Sequence, residues 1–400
     1  MIHLFCSKCL LVTLLVLTSG AAIASTAPLT VDKDGTVLLD GKPFRGIGVN
    51  YMDAFSRRLA KPEDTSYREG FAVLKAHGIP FARFMACGFF PSNWKLYFDD
   101  KEKYFTLMDD VVRAARESGV GLIPSVFWWY PCVPDLCGEP CSALGDPKSK
   151  THALMKQYLT DIVTRYKDEP AIWAWELGNE YRLSVDLPNA KDNLPFVAPD
   201  LGTPTKRGEP DFLTSAMVDT ALRAFAATVR SIDPARPITS GEAAPREAAH
   251  HLREKLEWVI DSAEEYKEEL LLSHPDPVNL ISTHLYPEHH NKYFGVPRAS
   301  FAQHLELTVA AAKQGKKGVF VGEFGAPDEE KNGGPEAARK EFEEFFPAFE
   351  ASGAALAALW VYDFSWQDSF ANVTDTNARA WRLDAVEESN KRLKTPKTGQ

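Results

Sequence analysis

Eight short apolar runs, separated by amphipathic stretches, constrain the fold of this 400-residue chain more than any other feature. Unbroken apolar runs are typical of strands that are buried on both faces of a parallel sheet. The stretches between them carry apolar residues at helical spacing. Eight strand–helix units are the number in a closed (β/α)8 barrel, or TIM barrel, an α/β fold. The runs cover residues 44–49, 79–85, 121–128, 171–177, 237–240, 280–284, 319–321 and 355–361, and the helical stretches include 69–77, 104–118, 152–166, 212–232, 247–271, 301–313 and 336–351.

An open, doubly wound sheet is the alternative fold for alternating strands and helices. Neither a GxGxxG nor a GxxxxGK[ST] motif follows the first run, so a nucleotide-binding sheet lacks its main support. Asp34-Gly35 and Asp40-Gly41 are turn-forming pairs, and they predict a short β-hairpin ahead of the barrel. The Pro-rich loop 186–210 lies inside one unit, so we expect a single domain over residues 25–400.

The first 24 residues resemble an export signal. Residues 3–8 are weakly basic, residues 10–17 form an apolar run, and Ala22-Ile23-Ala24 offers a cleavage site. The alternative, a membrane anchor, is disfavoured because a spanning helix needs about 20 apolar residues. We therefore expect a secreted protein, extracellular or periplasmic, with no membrane association after cleavage.

An exported chain with cysteines is expected to form disulfides. Cys87, Cys132, Cys137 and Cys141 follow the signal, and one or two disulfides are predicted among them without a specified pairing. Zinc is the alternative, but the cysteines offer no CxxC pair and no nearby histidine. Asn372 begins an Asn-Val-Thr glycosylation sequon.

Charge and missing motifs exclude several functions. The net charge of −10 argues against nucleic acid as a partner. The histidine pairs at 250–251 and 289–290 lack an HExxH motif, and we expect surface histidines there and neither a metal nor another cofactor. No GxSxG motif occurs, so an esterase would lack its nucleophile.

Two glutamates directly follow predicted strands, Glu180 after the fourth and Glu323 after the seventh. One such glutamate alone would fit an ion pair with arginine equally well. Their separation is about three units of about 47 residues, which places them on strands whose ends can meet across a barrel rim. A retaining glycosidase needs such a pair, because one carboxylate attacks the sugar while the other donates and then accepts a proton. Glu242, after the fifth strand, is either a substrate contact or a rival carboxylate.

Polar groups at other strand ends fit the same chemistry. Arg83, on the second strand, can keep a nucleophilic carboxylate ionised. Asn179 can donate a hydrogen bond to a sugar 2-hydroxyl. His284 and Tyr286, after the sixth strand, can orient the two glutamates by hydrogen bonds.

Aromatic side chains after strands or in loops suit a sugar ligand, because the C–H faces of sugars pack on indole and phenol rings. Trp360, at the end of the eighth strand, is the best candidate for such a platform. Trp173 and Trp175 lie within the fourth strand and are expected in the core. The remaining candidates are Trp94, Trp128, Trp129, Tyr293 and Trp366.

The motifs WELGNEYR, THLYP and VGEFG, together with Trp360, resemble the barrel hydrolases of glycoside hydrolase family 5, most closely their endo-β-1,4-mannanase branch. The resemblance covers about residues 40–385. It implies that Glu180 is the acid/base and Glu323 the nucleophile. It also implies that the substrate is bound, or the two carboxylates supported, by Arg83, Asn179, His284, Tyr286, Trp360 and Trp128. This chain departs from the family at Phe127-Trp128-Trp129, where many members carry a histidine, and at Tyr181, where proline is common.

The sequence therefore predicts a metal-independent, retaining β-glycoside hydrolase that acts on a β-linked polysaccharide or oligosaccharide, with endo-β-1,4-mannanase as the first choice. An endo-β-1,4-glucanase and an exo-acting β-glycosidase share the same glutamates and remain alternatives. A different class, a barrel that binds carbohydrate without catalysis, is disfavoured by the presence of both carboxylates.

Overall fold

The computed structural model describes residues 28–286 and 292–395. Its main feature is a sheet of eight parallel strands surrounded by helices, which confirms the predicted (β/α)8 barrel. We number the barrel strands β1 (Gly46–Asn50), β2 (Phe81–Met85), β3 (Gly121–Phe127), β4 (Trp175–Gly178), β5 (Ile238–Thr239), β6 (Leu280–Leu285), β7 (Gly318–Phe324) and β8 (Leu356–Leu359). Each lies within or next to one of the predicted runs.

The ring of strands is continuous except between β5 and β6. Consecutive strands pair in parallel from β1 to β5 and from β6 to β8, and β8 pairs with β1. Asn279 bridges the remaining gap, because its side-chain oxygen accepts a hydrogen bond from Ile238 N while its own backbone N donates to Ile238 O. Because all eight strands run parallel around the ring, their carboxyl ends lie on one face of the barrel.

Helices connect the strands, close to the predicted positions. The α-helices of the described residues are Ser56–Ala60, Tyr67–Ala76, Lys95–Asp99, Lys101–Ser118, Cys132–Cys137, Lys150–Tyr166, Ser215–Ile232, Ala249–Lys255, Ala263–Leu272, Phe301–Gly315, Gly334–Ser352 and Trp381–Lys394. No helix in that part of the chain is long and apolar enough to cross a membrane. The predicted signal, residues 1–24, lies outside the described residues.

Two helical regions differ from the prediction. The predicted helix 247–271 is two helices, because Leu256 adopts a left-handed conformation (φ 58°) and Ser262 caps a new helix through a capping box with Glu265. The last helix, Trp381–Lys394, was not predicted, because polar residues interrupt its buried face. One of them, Asn390, binds both backbone groups of Ile47 on β1 at 2.8 Å.

The amino end of the barrel is covered by the predicted hairpin, extended to three antiparallel strands, Leu29–Val31, Val37–Leu39 and Lys42–Pro43. Leu29 and Val37 pack there in one apolar cluster with barrel residues that include Phe81 and Trp173. Both Trp173 and Trp175 are buried, as predicted for the core.

The expectation of disulfides is wrong in this structure, and the asparagine of the sequon is buried. The four cysteines of the described residues, Cys87, Cys132, Cys137 and Cys141, are free thiols. Cys132 and Cys137 begin and end one helix, and a rise of about 7.5 Å separates them, which exceeds the usual reach of a disulfide. Asn372 is buried and donates from Nδ2 to Asp368 Oδ1 at 2.6 Å, so the folded protein does not offer it for glycosylation.

Candidate active site

Arg83 is the centre of a buried polar cluster at the carboxyl end of the barrel. Its guanidinium donates to four side chains on three other strands or strand ends. Nε binds Glu176 Oε1 at 2.8 Å, Nη1 binds Asn50 Oδ1 and Glu323 Oε1 at 2.9 Å each, and Nη2 binds Asn179 Oδ1 at 2.7 Å. Because guanidinium donors form a rigid planar fork, Arg83 fixes the relative positions of these groups.

Glu323 ends β7 and lies between two donors. Arg83 binds its Oε1, and the Tyr286 hydroxyl donates to its Oε2 at 2.6 Å. Burial raises the pKa of the Tyr286 hydroxyl well above its usual value, so the group stays protonated and able to donate. Both carboxylate oxygens of Glu323 are thereby held in one orientation.

Glu180 is positioned by its own backbone, directly after β4. It adopts a left-handed conformation (φ 56°), which is uncommon for a residue with a side chain. Its backbone N donates to Gly241 O at 3.0 Å, and that of Asn179 donates to Trp128 O at 3.0 Å. Glycine is required at 241, because a Cβ there would lie 1.8 Å from Gly178 O. The ends of β3 and β5 thus hold the Asn179-Glu180 turn in place.

The two carboxyl groups differ in their surroundings. The Glu180 side chain is 28% exposed and that of Glu323 is 6% exposed. Burial raises the pKa of both carboxyl groups, and the Arg83 charge opposes this rise at both. At Glu323 the hydrogen bond from the Tyr286 hydroxyl opposes the rise as well. Within residues 28–286 and 292–395, the one hydrogen-bond partner of the Glu180 side chain is His284, whose Nδ1 lies 2.8 Å from Oε1. A shared proton therefore favours Glu180.

His284 acts as a neutral group. Burial lowers its pKa to about 3, so the imidazole carries no charge near neutral pH. Its Nε2 lies against Gly322, where a Cβ would approach within 2.7 Å. Glycine at 322 therefore makes room for the ring that holds Glu180.

The two carboxylates meet in one open cleft. Ligand atoms of Glu180, His284 and Glu323 all lie within 4.8 Å of one another. Such a group has the spacing of a metal site, but the Arg83 charge, 2.9 Å from Glu323 Oε1, opposes a cation there. The cleft has a volume of about 610 Å³ and is lined by both glutamates, Asn179, Tyr286, Met52, Phe364, Gln367, Phe370 and three tryptophans, Trp128, Trp360 and Trp366.

The aromatic candidates divide into cleft and core. Trp128 and Trp360 stack with ring centroids 6.1 Å apart, and the Arg83 guanidinium lies 4.5 Å from the Trp128 ring. Trp366 is 86% exposed at the cleft. The expectation for Trp94 and Tyr293 is wrong, because both are buried in the core and offer no face to a ligand.

Three polar residues of the site were missed from the sequence, as were three apolar residues that line the cleft, Met52, Phe364 and Phe370. Asn50 directly follows the first apolar run. It is a polar residue at a strand end, as Glu180 and Glu323 are, and could have been selected for the same reason. Glu176 is a charged residue inside β4, an unusual position that signals a buried partner. Gln367, whose Oε1 accepts a hydrogen bond from Trp360 Nε1 at 2.9 Å, ends a short 3-10 helix, Ser365–Gln367, and no sequence pattern indicated it.

The other candidates do not reach the cleft. Glu242 is buried, and its Oε2 accepts a hydrogen bond from the backbone N of Arg182 at 2.9 Å. Burial raises the pKa of Glu242 to about 7. His251 lies in the helix Ala249–Lys255, and its Nδ1 is 2.8 Å from Asp261 Oδ1. The pair His289-His290 lies outside the described residues.

A sequence profile described as Cellulase (glycosyl hydrolase family 5) matches residues 39–365. The match extends over most of the barrel and includes both glutamates of the cleft. The chain belongs to glycosyl hydrolase family 5.

Particular relatives agree with this assignment. A probable mannan endo-1,4-beta-mannosidase F from Aspergillus flavus is 37% identical over 115 residues, which cover 24% of each chain. The endo-1,4-beta-mannanase of Rhizomucor miehei superposes with a TM-score of 0.64 at 16% identity, covering 91% of this chain and 99% of that one. An exo-beta-1,4-mannosidase from an Opitutaceae bacterium gives 0.62 at 15%, covering 91% and 63%. At such identities the structural likeness shows the fold alone, and the chain spans only about a quarter of the Aspergillus relative it matches.

Proposed function

We propose that the protein is a retaining β-glycoside hydrolase that uses Glu323 as nucleophile and Glu180 as acid/base. The observation that carries the proposal is the meeting of these two carboxylates, with oxygens within 4.8 Å, in a cleft at the carboxyl end of the barrel. Retaining enzymes hold their carboxyl groups about 5–5.5 Å apart, whereas inverting enzymes leave about 6.5–9.5 Å for a water molecule.

In the first step, Glu323 attacks the anomeric carbon while Glu180 protonates the departing glycosidic oxygen. The hydrogen bonds that Arg83 and Tyr286 donate favour the ionised form of Glu323. Glu180 keeps the proton because its partner among the described residues, His284, is neutral. The C–O bond to the leaving group breaks as the bond to Glu323 forms. The product is a covalent glycosyl–enzyme ester and an ionised Glu180.

In the second step, Glu180 accepts a proton from a water molecule, whose oxygen attacks the anomeric carbon and releases Glu323. The two displacements restore the starting configuration and both protonation states. Asn179, held by Arg83 at 2.7 Å, is placed to donate from its amide nitrogen to a sugar 2-hydroxyl. Trp360, which lines the cleft and stacks on the buried Trp128, supplies an apolar face for the sugar ring.

We infer that the substrate is β-1,4-mannan, cleaved internally. The support is the printed names of the Aspergillus relative and of the Rhizomucor structure. Exo action is the second candidate, because the Opitutaceae exo-mannosidase superposes almost equally well.

We also propose that residues 1–24 are a cleaved export signal and that residues 25–400 form one secreted catalytic domain. The apolar run at 10–17 and the small residues at 22–24 support export. N-terminal sequencing of the protein secreted by its host tests this. A mature chain that begins near residue 25 is expected, and retention of the apolar run would contradict the proposal.

The substrate is tested by incubating the enzyme with mannan, glucan and xylan and measuring new reducing ends. We expect release from mannan, with mixed oligosaccharides as early products. Monosaccharide as the only early product would favour exo action. Activity on glucan alone would overturn the choice of sugar and leave the two-glutamate chemistry intact.

The role of Glu180 is tested separately with an aryl β-mannoside whose leaving group needs no proton. The Glu180→Ala variant should lose polymer hydrolysis by about 10²–10⁴-fold but form the glycosyl enzyme from the activated substrate. Added azide should then restore turnover and give a β-mannosyl azide. An unchanged rate on mannan would contradict the assignment and favour a barrel whose glutamates only bind.

A further inference from the structure

Glu176 is a fully buried glutamate that the proposed reaction does not use. It is the second residue of β4, four positions before Glu180, and it is 0% exposed. Its Oε1 accepts a hydrogen bond from Arg83 Nε at 2.8 Å. Its Oε2 is buried without a hydrogen-bond partner among the described residues. An unpaired buried polar atom costs free energy, so stability alone does not account for a glutamate at this position.

Close packing on two sides encloses the Glu176 carboxyl group. Ser125 faces it across the register of β3 and β4, although the two side chains do not form a hydrogen bond. On another side, a Cβ at Gly241 would lie 2.9 Å from Glu176 Oε1, and the Gly241 carbonyl accepts the backbone N–H of Glu180. The carboxyl group therefore lies directly against the turn that carries the acid/base.

One guanidinium serves both Glu176 and Glu323. Arg83 donates to Glu176 through Nε and to Glu323 through Nη1 at 2.9 Å, and its side chain is 0% exposed. An ionised Glu176 repels the charge on Glu323 and so opposes the attraction of Arg83. A carboxylate that is held too firmly in its ionised form is a weaker nucleophile, because that stabilisation is lost as its charge moves to the sugar. Sharing of the Arg83 charge avoids this loss.

The other groups around Glu323 do not balance the Arg83 charge. The Nδ1 of His284 lies 3.6 Å from Glu323 Oε1, but the imidazole is neutral near pH 7 because burial lowers its pKa to about 3. The Tyr286 hydroxyl donates to Glu323 Oε2, and burial raises its pKa well above the usual value, so it remains uncharged. Arg83 is therefore the charged contact that an ionised carboxylate nearby can offset.

Two further glutamates lie near Glu176. Glu180 carries the proton in the resting state of the proposed reaction. Burial raises the pKa of Glu242 to about 7, and the charges of Glu180 and Glu176 add to this rise. Glu242 follows β5, so a charge at position 176 acts on carboxyl groups at the ends of other strands.

We propose that Glu176 is a positioning residue of the catalytic centre, which fixes the Arg83 guanidinium and offsets part of its charge at Glu323. The inference rests on the proposed function, because it takes Glu323 as the group that attacks the sugar. It explains why an incompletely paired glutamate is kept inside β4.

The test is the pH dependence of inactivation by 2-deoxy-2-fluoro-β-mannosyl fluoride, whose rate follows the ionised form of Glu323. The Glu176→Gln variant keeps the acceptor for Arg83 Nε but removes the charge. Arg83 then acts on Glu323 without opposition, which lowers the pKa of that carboxyl group. We expect the acid limb of the inactivation rate to move down by about one pH unit.

Glu269→Gln is the matched control. Glu269 is also buried, and its Oε2 accepts a hydrogen bond from Arg253 Nε at 2.8 Å, but it lies on the helix Ala263–Leu272. This variant should leave the acid limb at the parent value. Glu176→Asp is a second variant for the case that glutamine prevents folding, which circular dichroism would show. It keeps the charge, so its acid limb should also stay in place.

Three results would overturn the proposal. An unchanged acid limb in a folded Glu176→Gln variant would show that Glu323 does not respond to a charge at position 176. A downward shift in Glu176→Asp would show that packing rather than charge sets the limb. An equal shift in Glu269→Gln would show that the effect is not specific to Glu176. A parent enzyme labelled on a residue other than Glu323 would instead refute the proposed function, so the two failures are distinguishable.

Discussion

The two ends of the barrel are built from opposite chemistry on the same strands. At the amino end, Phe81 and Phe320 pack with Trp173 under the small antiparallel sheet. At the carboxyl end, the same β2 strand carries Arg83, whose charge is shared between Glu176 and Glu323. Strand β2 therefore begins in the apolar cluster at the amino end and carries, two residues later, a charge that is buried in an ion cluster.

The contrast separates stability from function. Burial of large aromatic rings stabilises the fold and needs no further partner. Buried charges contribute little net stability, because the loss of hydration offsets much of their mutual attraction. The carboxyl end keeps them because the proposed reaction needs two carboxylates in different protonation states. Substitutions at the carboxyl end should therefore lower activity, whereas substitutions at the amino end should lower the free energy of unfolding.

The largest effect is expected from Glu323→Ala at the carboxyl end. Loss of the attacking carboxylate removes the covalent route, so kcat on mannan should fall by about 10⁴-fold or more. Circular dichroism should show an unchanged fold. A variant that retains a tenth of the parent rate would rule out Glu323 as nucleophile.

At the amino end, Trp173→Ala should destabilise without changing the chemistry. Trp173 packs edge-on against Phe44 at 5.6 Å, and its loss leaves a cavity under the barrel. We expect the free energy of unfolding to fall by about 3–5 kcal/mol, read from urea denaturation, with kcat at 25 °C unchanged. Trp173→Phe is the control and should lose less. A fall in kcat with no loss of stability would break the division between the two ends.

A smaller effect should appear in the pH profile of Tyr286→Phe. The hydroxyl favours ionised Glu323, so its removal should raise the pKa of that carboxyl further. The acid limb of kcat/KM, which needs ionised Glu323, should move up by about one pH unit, while the alkaline limb, set by Glu180, stays in place. His284 should contribute neither limb, because burial lowers its pKa to about 3. Movement of the alkaline limb alone would reverse the roles of the two glutamates.

The smallest effect is a gain in stability from Glu180→Gln. Burial raises the pKa of Glu180 in the folded protein, so the fold prefers the protonated form. This contribution is complete below the pKa of the unfolded chain and is lost as the pH rises through the folded pKa. Glutamine mimics the protonated form, so at pH 7 the variant should gain up to about 1 kcal/mol, measured by thermal unfolding. At pH 4 the two proteins should unfold alike, and a destabilised variant at pH 7 would contradict this.

The sequence predicted the barrel well because strand burial leaves a direct local pattern. All eight apolar runs hold a strand, and each strand end identifies its neighbours on the rim. The failures came where tertiary contacts decide the conformation. Leu256 breaks a continuous helical pattern, and the buried Asn390 interrupts the apolar spacing of the last helix.

The site was predicted less completely than the fold. Residues at strand ends, such as Glu180 and Tyr286, follow from topology alone. The charge of Glu176 inside β4 signals a buried partner, but the sequence does not show that this partner is Arg83 from a different strand, so the residue was missed. Trp94 was predicted to face the ligand but is buried in the core. An aromatic residue after a strand packs inward or outward according to the surrounding loops, which the local sequence does not show.

The central claim is that Glu323 forms a covalent bond to the sugar. A 2-deoxy-2-fluoro-β-mannosyl fluoride, whose glycosyl enzyme hydrolyses slowly, should label the protein once, and peptide mass mapping should place the label on the peptide that contains Glu323. Glu180→Ala should still be labelled and Glu323→Ala should not. A label on Glu180 or Glu242, or no label together with inverted products, would contradict the account.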